Sequence, residues 1–275
     1  MSPSKRIRIS VTGIVQGVGF RPFVYQLAQR LALSGFVHND AEGLMIETEG
    51  DPGTLASFLA SLETTPPPLS RIDSLYHEEI YTTGEEGFTI RSSDKGEAKT
   101  MVSPDMAICD ACAAEMRDTT NRRYNYPFIN CTDCGPRYTI IRALPYDRSQ
   151  TSMAPFTMCK ACRSEYTDPG DRRYHAQPVS CYECGPTLSL LSLDGSVCAE
   201  ENEAINRTCQ LILQGKTVAV KGIGGFHLIC DASNEEAVAA LRRKKQRPSK
   251  PLAVMFKDLE SLKEAADATK EDERL

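Results

Sequence analysis

The sequence has no apolar run long enough to cross a membrane, since a spanning helix needs about 20 consecutive apolar residues. It also lacks the apolar core of a secretory signal, because Met1-Ser-Pro-Ser-Lys-Arg6 leads straight into a strand-like stretch. These two absences predict a soluble, cytoplasmic chain in a reducing compartment, where cysteines remain thiols or bind metal. An excess of positive charge is missing too. The net charge of −5 argues against a general nucleic-acid binder. What remains is ordinary for globular protein: 41% hydrophobic, 25% charged, and, at 275 residues, long enough for two domains plus a small metal module.

Against these absences stand eleven cysteines, eight of them in an internal repeat. Cys109-Asp-Ala-Cys112 is followed after eighteen residues by Cys131-Thr-Asp-Cys134, and fifty positions on the figure returns as Cys159, Cys162, Cys181 and Cys184. Glu115 matches Glu165, Asp118 matches Asp168, Arg122-Arg123-Tyr124 matches Arg172-Arg173-Tyr174, and Cys134-Gly-Pro matches Cys184-Gly-Pro. Two thiolates separated by two residues sit on one knuckle, and two knuckles close a tetrahedral four-sulfur site of the kind zinc prefers. The repeat therefore predicts two structural zinc ions. Iron would satisfy the same sulfurs, and pairing across repeats would close a tetrahedron as well as pairing within them. Disulfides and inert buried thiols are the plainer alternatives. With four sulfurs per metal no position stays open for water, so the zinc holds shape and takes no part in catalysis. Cys198, Cys209 and Cys230 lie outside the repeat and read as small buried apolar residues. The Arg-Arg-Tyr clusters read as a solvated or domain-docking face, and His175 as a packing or hydrogen-bonding residue.

Upstream, Arg6 to Thr12 alternates polar and apolar residues as a half-buried strand does. It runs into Gly13-Ile-Val-Gln16-Gly17-Val18-Gly19-Phe20-Arg21-Pro22, after which Val24, Leu27, Ala28 and Leu31 fall on one helical face. A glycine loop between a strand and a helix N-terminus turns backbone N–H groups inward and makes an anion cradle. Arg21 stands at its rim, where a guanidinium takes two phosphate oxygens at once. Strands are expected over 44–49, 72–81 and 88–91, a helix over 53–62, and a stiff loop at Pro66-Pro67-Pro68. His38 and His77 are placed on the surface.

The loop string, followed by Gly35-Phe36-Val37-His38-Asn39, closely resembles the acylphosphatase family. The resemblance covers about residues 5–92 and implies a two-layer β-α-β-β-α-β domain. It also implies catalytic roles for Arg21 and Asn39, with the phosphoryl group held by Gln16, Gly17, Val18, Gly19, Phe20 and Arg21, and Asn39 placing the attacking water. An acyl phosphate leaves as a stable carboxylate or carbamate, so positioning and charge stabilisation suffice and no catalytic His or Glu is expected.

Residues 93–103 read as a linker, and beyond Pro186 the chain turns globular again. A helix is expected over 203–213 with Ile205, Cys209, Ile212 and Leu213 inward, ended by Gly215. There follow a short buried strand over 217–221, a glycine loop over 222–225, a helix from Asn234 to about Lys245 and a second apolar strand over 252–256. The run Lys245-Gln-Arg247-Pro-Ser-Lys250-Pro251 resembles the nucleotide- and anion-binding signature of YrdC-like domains, which use ATP to make an acyl adenylate. By that likeness Lys221, Lys245, Arg247 and Lys250 bind nucleotide.

In this order the three parts resemble the N-terminal portion of the HypF family of hydrogenase-maturation carbamoyltransferases. The fold class implied is multidomain α+β: a ferredoxin-like acylphosphatase domain at 1–95, a tandem four-cysteine zinc-finger module at 96–190 and a partial α/β YrdC-like domain at 198–275. The resemblance implies that carbamoyl phosphate is hydrolysed at the first domain, that the carbamate is activated with ATP, and that the carbamoyl group passes to the partner HypE. The YrdC-like stretch falls short of a whole domain and no transfer domain follows it, so the chain as given is expected to perform acyl phosphate hydrolysis alone. Two other readings stand beside this one: a stand-alone acylphosphatase with a zinc docking module, and an RNA-associated YrdC-like factor.

Overall fold

A computed structural model of the protein describes residues 4–93, 101–222 and 224–272. Part of the linker expected over 93–103, and Ile223 of the second glycine loop, lie outside the described residues. The chain divides into two compact units, Met1–Thr187 and Leu188–Leu275. Among the described residues no helix is long and apolar enough to cross a membrane.

The first unit begins with β1 (Lys5–Ile14), α1 (Phe20–Arg30), β2 (Ser34–Asn39), β3 (Gly43–Gly50), α2 (Pro52–Thr64), β4 (Arg71–Ile80) and β5 (Phe88–Ile90). The sheet order is β4-β1-β3-β2-β5, antiparallel throughout except for the β2–β5 pair. This is the ferredoxin-like plan expected from the sequence, and its cause is the alternation in β1. Ile7, Ile9 and Val11 point to the helix side and are buried. Phe20, Val24, Leu27 and Ala28 of α1, at the spacing of one helical face, meet them, as do Leu55, Phe58 and Leu62 of α2. Asp51 caps α2 by accepting from the Gly53 N–H at 2.9 Å. On the opposite sheet face Arg6 is buried and donates to Glu47 and Glu85 at 3.0 and 3.1 Å.

The rest of the unit has little regular structure. Its two helices, α3 (Asp110–Arg117) and α4 (Lys160–Thr167), are short, and each is entered through the first cysteine of a repeat. Cys109 and Cys159 stand at the N-caps, so the helical turn carries Cys112 and Cys162 back onto the same side. Two small buried clusters form around the sulfurs. One joins Tyr126 and Ile129 to Cys112, Cys131 and Cys134, and the other joins Ala176 and Val179 to Cys162 and Cys181.

The second unit carries hairpin β6 (Ser189–Leu191) with β7 (Val197–Glu200), α5 (Glu201–Leu213), hairpin β8 (Val218–Lys221) with β9 (Phe226–Ile229), α6 (Glu235–Lys244) and α7 (Leu259–Ala265). Gly215 takes φ 75° just past α5, the left-handed geometry that ends a helix. Several expectations fail in this unit. β8 is half-exposed and not buried, and residues 252–256 form no strand. The inward face of α5 carries Ala204, with Ile205 and Ile212 half-buried, whereas Cys209 and Leu213 are exposed. Cys198 is exposed as well and Cys230 is half-buried, so the three odd cysteines are not core residues. The common cause is that apolar composition marks a segment able to be buried without saying which face is covered.

Candidate active site

The strand β1 delivers the chain to a loop whose geometry only glycine takes easily: Gly17 has φ 75° and Gly19, the N-cap of α1, has φ 77°. Both also admit close neighbours. A Cβ on Gly17 would meet Arg137 Cδ and Tyr146 Cδ1 at 3.3 Å, and one on Gly19 would meet Thr132 at 3.5 Å. The loop is therefore packed against the cysteine-rich module, with Gly17 and Gly19 half-buried.

A single cavity collects the central residues of the expected site. Gly17, Gly19, Phe20, Arg21 and Asn39 line it together, closed over by Thr132, Arg137, Tyr146 and the stretch His175–Pro178. Arg21 is buried, yet held: its Nη1 lies 2.9 Å from Asp147 Oδ1 and 3.5 Å from Ser93 Oγ, and its Nη2 donates to the Tyr146 carbonyl at 3.3 Å. Asn39, at the end of β2, is only 1% exposed, and neither its Nδ2 nor its Oδ1 has a hydrogen-bond partner among the described residues. An unmatched buried carboxamide costs roughly 1–3 kcal/mol. A fold that keeps one beside an arginine and a cradle of N–H donors holds a place for a polar ligand.

Gln16 and Val18 behave differently from the rest of the loop. The Gln16 side chain turns away, donating to Asp40 O at 2.9 Å and Gly43 O at 2.7 Å and accepting from the Tyr146 N–H at 2.9 Å. Val18 points into the sheet core. Any part these two play toward an anion is through the backbone. Gln16→Ala should cost about 2–4 kcal/mol, since three buried hydrogen bonds go and the Tyr146 N–H is orphaned. Urea unfolding of the purified variant measures it, and an unshifted midpoint would contradict this account.

Sequence reasoning missed Arg137, Tyr146 and Asp147, and foresaw a packing role for His175 but not its place beside this cavity; all four come from loops more than ninety residues downstream of the glycine motif. Arg137 is 2% exposed, donating to the carbonyls of Gly17, Cys131, Thr132, Cys134 and Pro136 and so tying the first finger to the loop. His175 takes φ 56° and packs edge-on against Tyr174 and tilted against Tyr166. Burial, helped by the Arg21 charge, lowers its pKa from the ordinary imidazole range to about 4, so it is neutral near pH 7. The only local signal at these positions was Arg137 directly after Cys134-Gly-Pro.

The eight repeat cysteines form two groups, Cys109, Cys112, Cys131 and Cys134, and Cys159, Cys162, Cys181 and Cys184, so the knuckles pair within each repeat. Neighbouring sulfurs stand 3.7–3.8 Å apart. The edge of a tetrahedron with zinc–sulfur bonds of about 2.3 Å is about 3.8 Å, so both groups fit zinc. Of the two expectations for the Arg-Arg-Tyr clusters, a solvated or a domain-docking face, the structure bears out the second, Tyr174 packing on Tyr25 of α1. Arg122 donates to Cys162 Sγ at 3.3 Å and Arg172 to Cys112 Sγ at 3.1 Å, each reaching the other finger. Arg123 and Arg173, nearly fully buried, pair with Glu165 and Glu115 of the opposite repeat. Burial alone would raise the two carboxyls, but the arginines outweigh it and hold both below the usual range. Committed in this way, these arginines are not free to grip RNA.

In the second unit Lys221, Lys245 and Lys250 are exposed and Arg247 is half-buried. The 245–250 segment is shaped by Arg242, whose Nη1 donates to the carbonyls of Arg247, Pro248 and Lys250. Lys221 lies at the end of β8 with its Nζ 5.8 Å from the Phe226 ring centroid.

A glycine loop between a strand and a helix N-terminus on a ferredoxin-like sheet, roofed by two four-cysteine fingers, defines a domain of acylphosphatase type joined to a zinc module. Comparison with known families agrees: residues 7–90 match Acylphosphatase, residues 108–141 and 158–191 match the HypF finger, and residues 210–275 match the family described as Telomere recombination, which comprises Sua5, YciO and YrdC. The chain belongs to the HypF family. It is 54% identical to carbamoyltransferase HypF of Synechocystis over 93% of its own length and 33% of that protein's. It superposes on a crystal structure of full-length HypF in a phosphate- and nucleotide-bound form with a TM-score of 0.91 and 44% identity, covering 99% of this chain and 36% of the other. The first domain alone is 40% identical to an acylphosphatase of Thermotoga petrophila, over 97% of that protein. The chain thus spans about a third of the length of the carbamoyltransferases it matches.

Proposed function

We propose that the first unit hydrolyses acyl phosphates, with carbamoyl phosphate as the physiological substrate. The loop N–H groups of residues 16–20 and the Arg21 guanidinium hold the phosphoryl oxygens, and the Asn39 carboxamide orients a water for attack in line with the leaving carbamate. The water oxygen forms the new bond to phosphorus as the P–O bond to the acyl group breaks. The departing carbamate is already a stable anion, so no acid is needed to protonate it. What carries this reading is Asn39: buried, without a hydrogen-bond partner among the described residues, and lining one cavity with Arg21 and the glycine loop.

The domain division that goes with it is 1–95 for hydrolysis, 96–190 for the zinc module and 198–275 for a YrdC-like part. In a chain of the relatives' full length, carbamate would be activated with ATP, with Lys245, Arg247 and Lys250 meeting phosphate oxygens and Lys221 lining the same nucleotide pocket. The carbamoyl group would then pass to HypE in hydrogenase maturation. The family membership and the match at residues 210–275 support that extension.

The test is Asn39→Ala in the purified chain, followed by inorganic phosphate release from carbamoyl phosphate. The expected loss in kcat is about 100-fold, with inhibition by inorganic phosphate nearly unchanged. The melting temperature should hold or rise, because a buried polar group without partners is removed. Full turnover in the variant, or a melting temperature that collapses along with activity, would defeat the assignment.

A further inference from the structure

The two fingers are near-copies, and where they differ tells what one of them has been adapted to do. Directly after the Arg-Arg-Tyr triplet the first repeat reads Asn125-Tyr-Pro-Phe128 and the second His175-Ala-Gln-Pro178, different at every position. The backbone is conserved nonetheless, since Asn125 and His175 take φ 55° and 56°. The Tyr126 ring, fully buried in the first finger, is replaced by Ala176 in the second. It is this altered stretch of the second finger that walls the acylphosphatase cavity. A small residue there leaves space, and an imidazole borders it.

That imidazole has no side-chain hydrogen bond among the described residues and packs against the Tyr166 and Tyr174 rings. A neutral imidazole presents one donor and one acceptor nitrogen, and His175 is neutral near pH 7. The phosphoryl end of the cavity is already served by the glycine loop and Arg21, which leaves the acyl end of the ligand without a partner from the acylphosphatase domain other than Asn39.

We propose that His175 is a specificity-determining residue for the acyl end of the substrate, its ring accepting a hydrogen bond from the amide N–H of a carbamoyl group. This rests on the acyl phosphate reading of the cavity and deepens it. The finger module thereby turns a general acylphosphatase site into one that prefers an acyl group bearing an N–H donor, since an acetyl group offers only a carbonyl oxygen and a methyl.

The test uses binding as well as turnover. Phosphonoacetamide and acetonylphosphonate are non-hydrolysable counterparts of carbamoyl and acetyl phosphate, and inorganic phosphate reports the phosphoryl end alone. Titration calorimetry on the purified chain should show tighter binding of phosphonoacetamide than of acetonylphosphonate. His175→Asn, which places the first finger's own residue on an identical backbone, and His175→Phe, which keeps a ring against Tyr166 and Tyr174, should each weaken phosphonoacetamide by about 5- to 10-fold, the worth of one hydrogen bond. Acetonylphosphonate and phosphate should move by less than about twofold. In turnover the same loss should appear in KM for carbamoyl phosphate, with kcat little changed. Equal loss for both phosphonates, a parallel loss for phosphate, or no loss at all would overturn the proposal. If the wild type shows the binding preference and the variants lose it, yet no acyl phosphate is turned over, hydrolysis is the reading that fails and the role of His175 stands. If the wild type binds neither phosphate nor phosphonate, both readings fall together.

Discussion

Arg21→Ala should release phosphate from carbamoyl phosphate at least about 1,000-fold more slowly than the unaltered chain, because the other arginine lining the cavity, Arg137, is committed to backbone carbonyls, and losing Arg21 from the start of α1 removes the charge stabilisation on which phosphoryl transfer depends. The loss has a second part. Asp147 sits 2.9 Å from the Arg21 guanidinium, and with the arginine gone its carboxylate is left uncompensated beside the phosphoryl site, where it repels the substrate. The double variant Arg21→Ala, Asp147→Asn should therefore recover phosphate binding in part while turnover stays lost. Arg21→Lys should fall between, about 100-fold down, since an ammonium keeps the charge but not the planar two-point grip. Metal content and circular dichroism should match the parent in all three, since Arg21 touches no sulfur. Phosphate release at the parental rate from Arg21→Ala would remove the catalytic assignment altogether.

Why the arginine proposed to take a phosphoryl group is already held by Asp147 and the Tyr146 carbonyl follows from its burial. A guanidinium that is 8% exposed would be costly without partners. The Nη1 and Nη2 contacts to the 146–147 segment lower that cost and fix the plane of the group before the ligand arrives. The N–H groups left over are sufficient for a bidentate grip. The glycine motif and the finger module are thus parts of one site, joined through Gln16, Arg21 and Arg137.

That joining is what the sequence shows least. The period-two run Ile7, Ile9, Val11 and the helical spacing of Val24, Leu27 and Ala28 announce the first sheet and helix, because each is a local pattern with one buried face. The cysteine knuckles announce two metal sites because a two-residue spacing puts each pair of thiolates on one turn, while which knuckles pair is seen only in the structure. Arg137, Tyr146, Asp147 and His175 sit in loops with no periodicity, and they reach the cavity only because the fingers fold back onto the glycine loop. Arg122, Arg123, Arg172 and Arg173 look like a solvated basic face until their cross-finger partners, Glu115, Glu165 and two cysteine sulfurs, are seen. In the second unit the apolar run at 252–256 carries the composition of a strand without a neighbour to pair with among the described residues, and composition cannot supply the neighbour.

The reciprocal arginine contacts lead to the second large effect. Cys112→Ser should remove not one metal but most of both, and with them the roof of the cavity. A four-cysteine zinc site contributes on the order of 10 kcal/mol to the folding of the segment that holds it, far more than the small clusters around Tyr126 or Val179 could supply. Losing the first site frees Glu115, and Arg172 with Arg173, the partners through which the second finger is held. It also loosens the Cys131–Cys134 knuckle whose carbonyls anchor Arg137. Elemental analysis should accordingly find about two zinc ions per parental chain and well under one in the variant, with phosphate release falling by at least about tenfold as Arg137 and the 146–147 segment lose their footing. Cobalt exchanged for zinc in the parental chain should leave kcat within about twofold, because a metal with four protein sulfurs has no open position through which its identity could reach the chemistry. A variant that kept one full equivalent of zinc and parental turnover would show the fingers to be independent, and a kcat that changed severalfold with cobalt would show the metal to be more than a fold-holding centre.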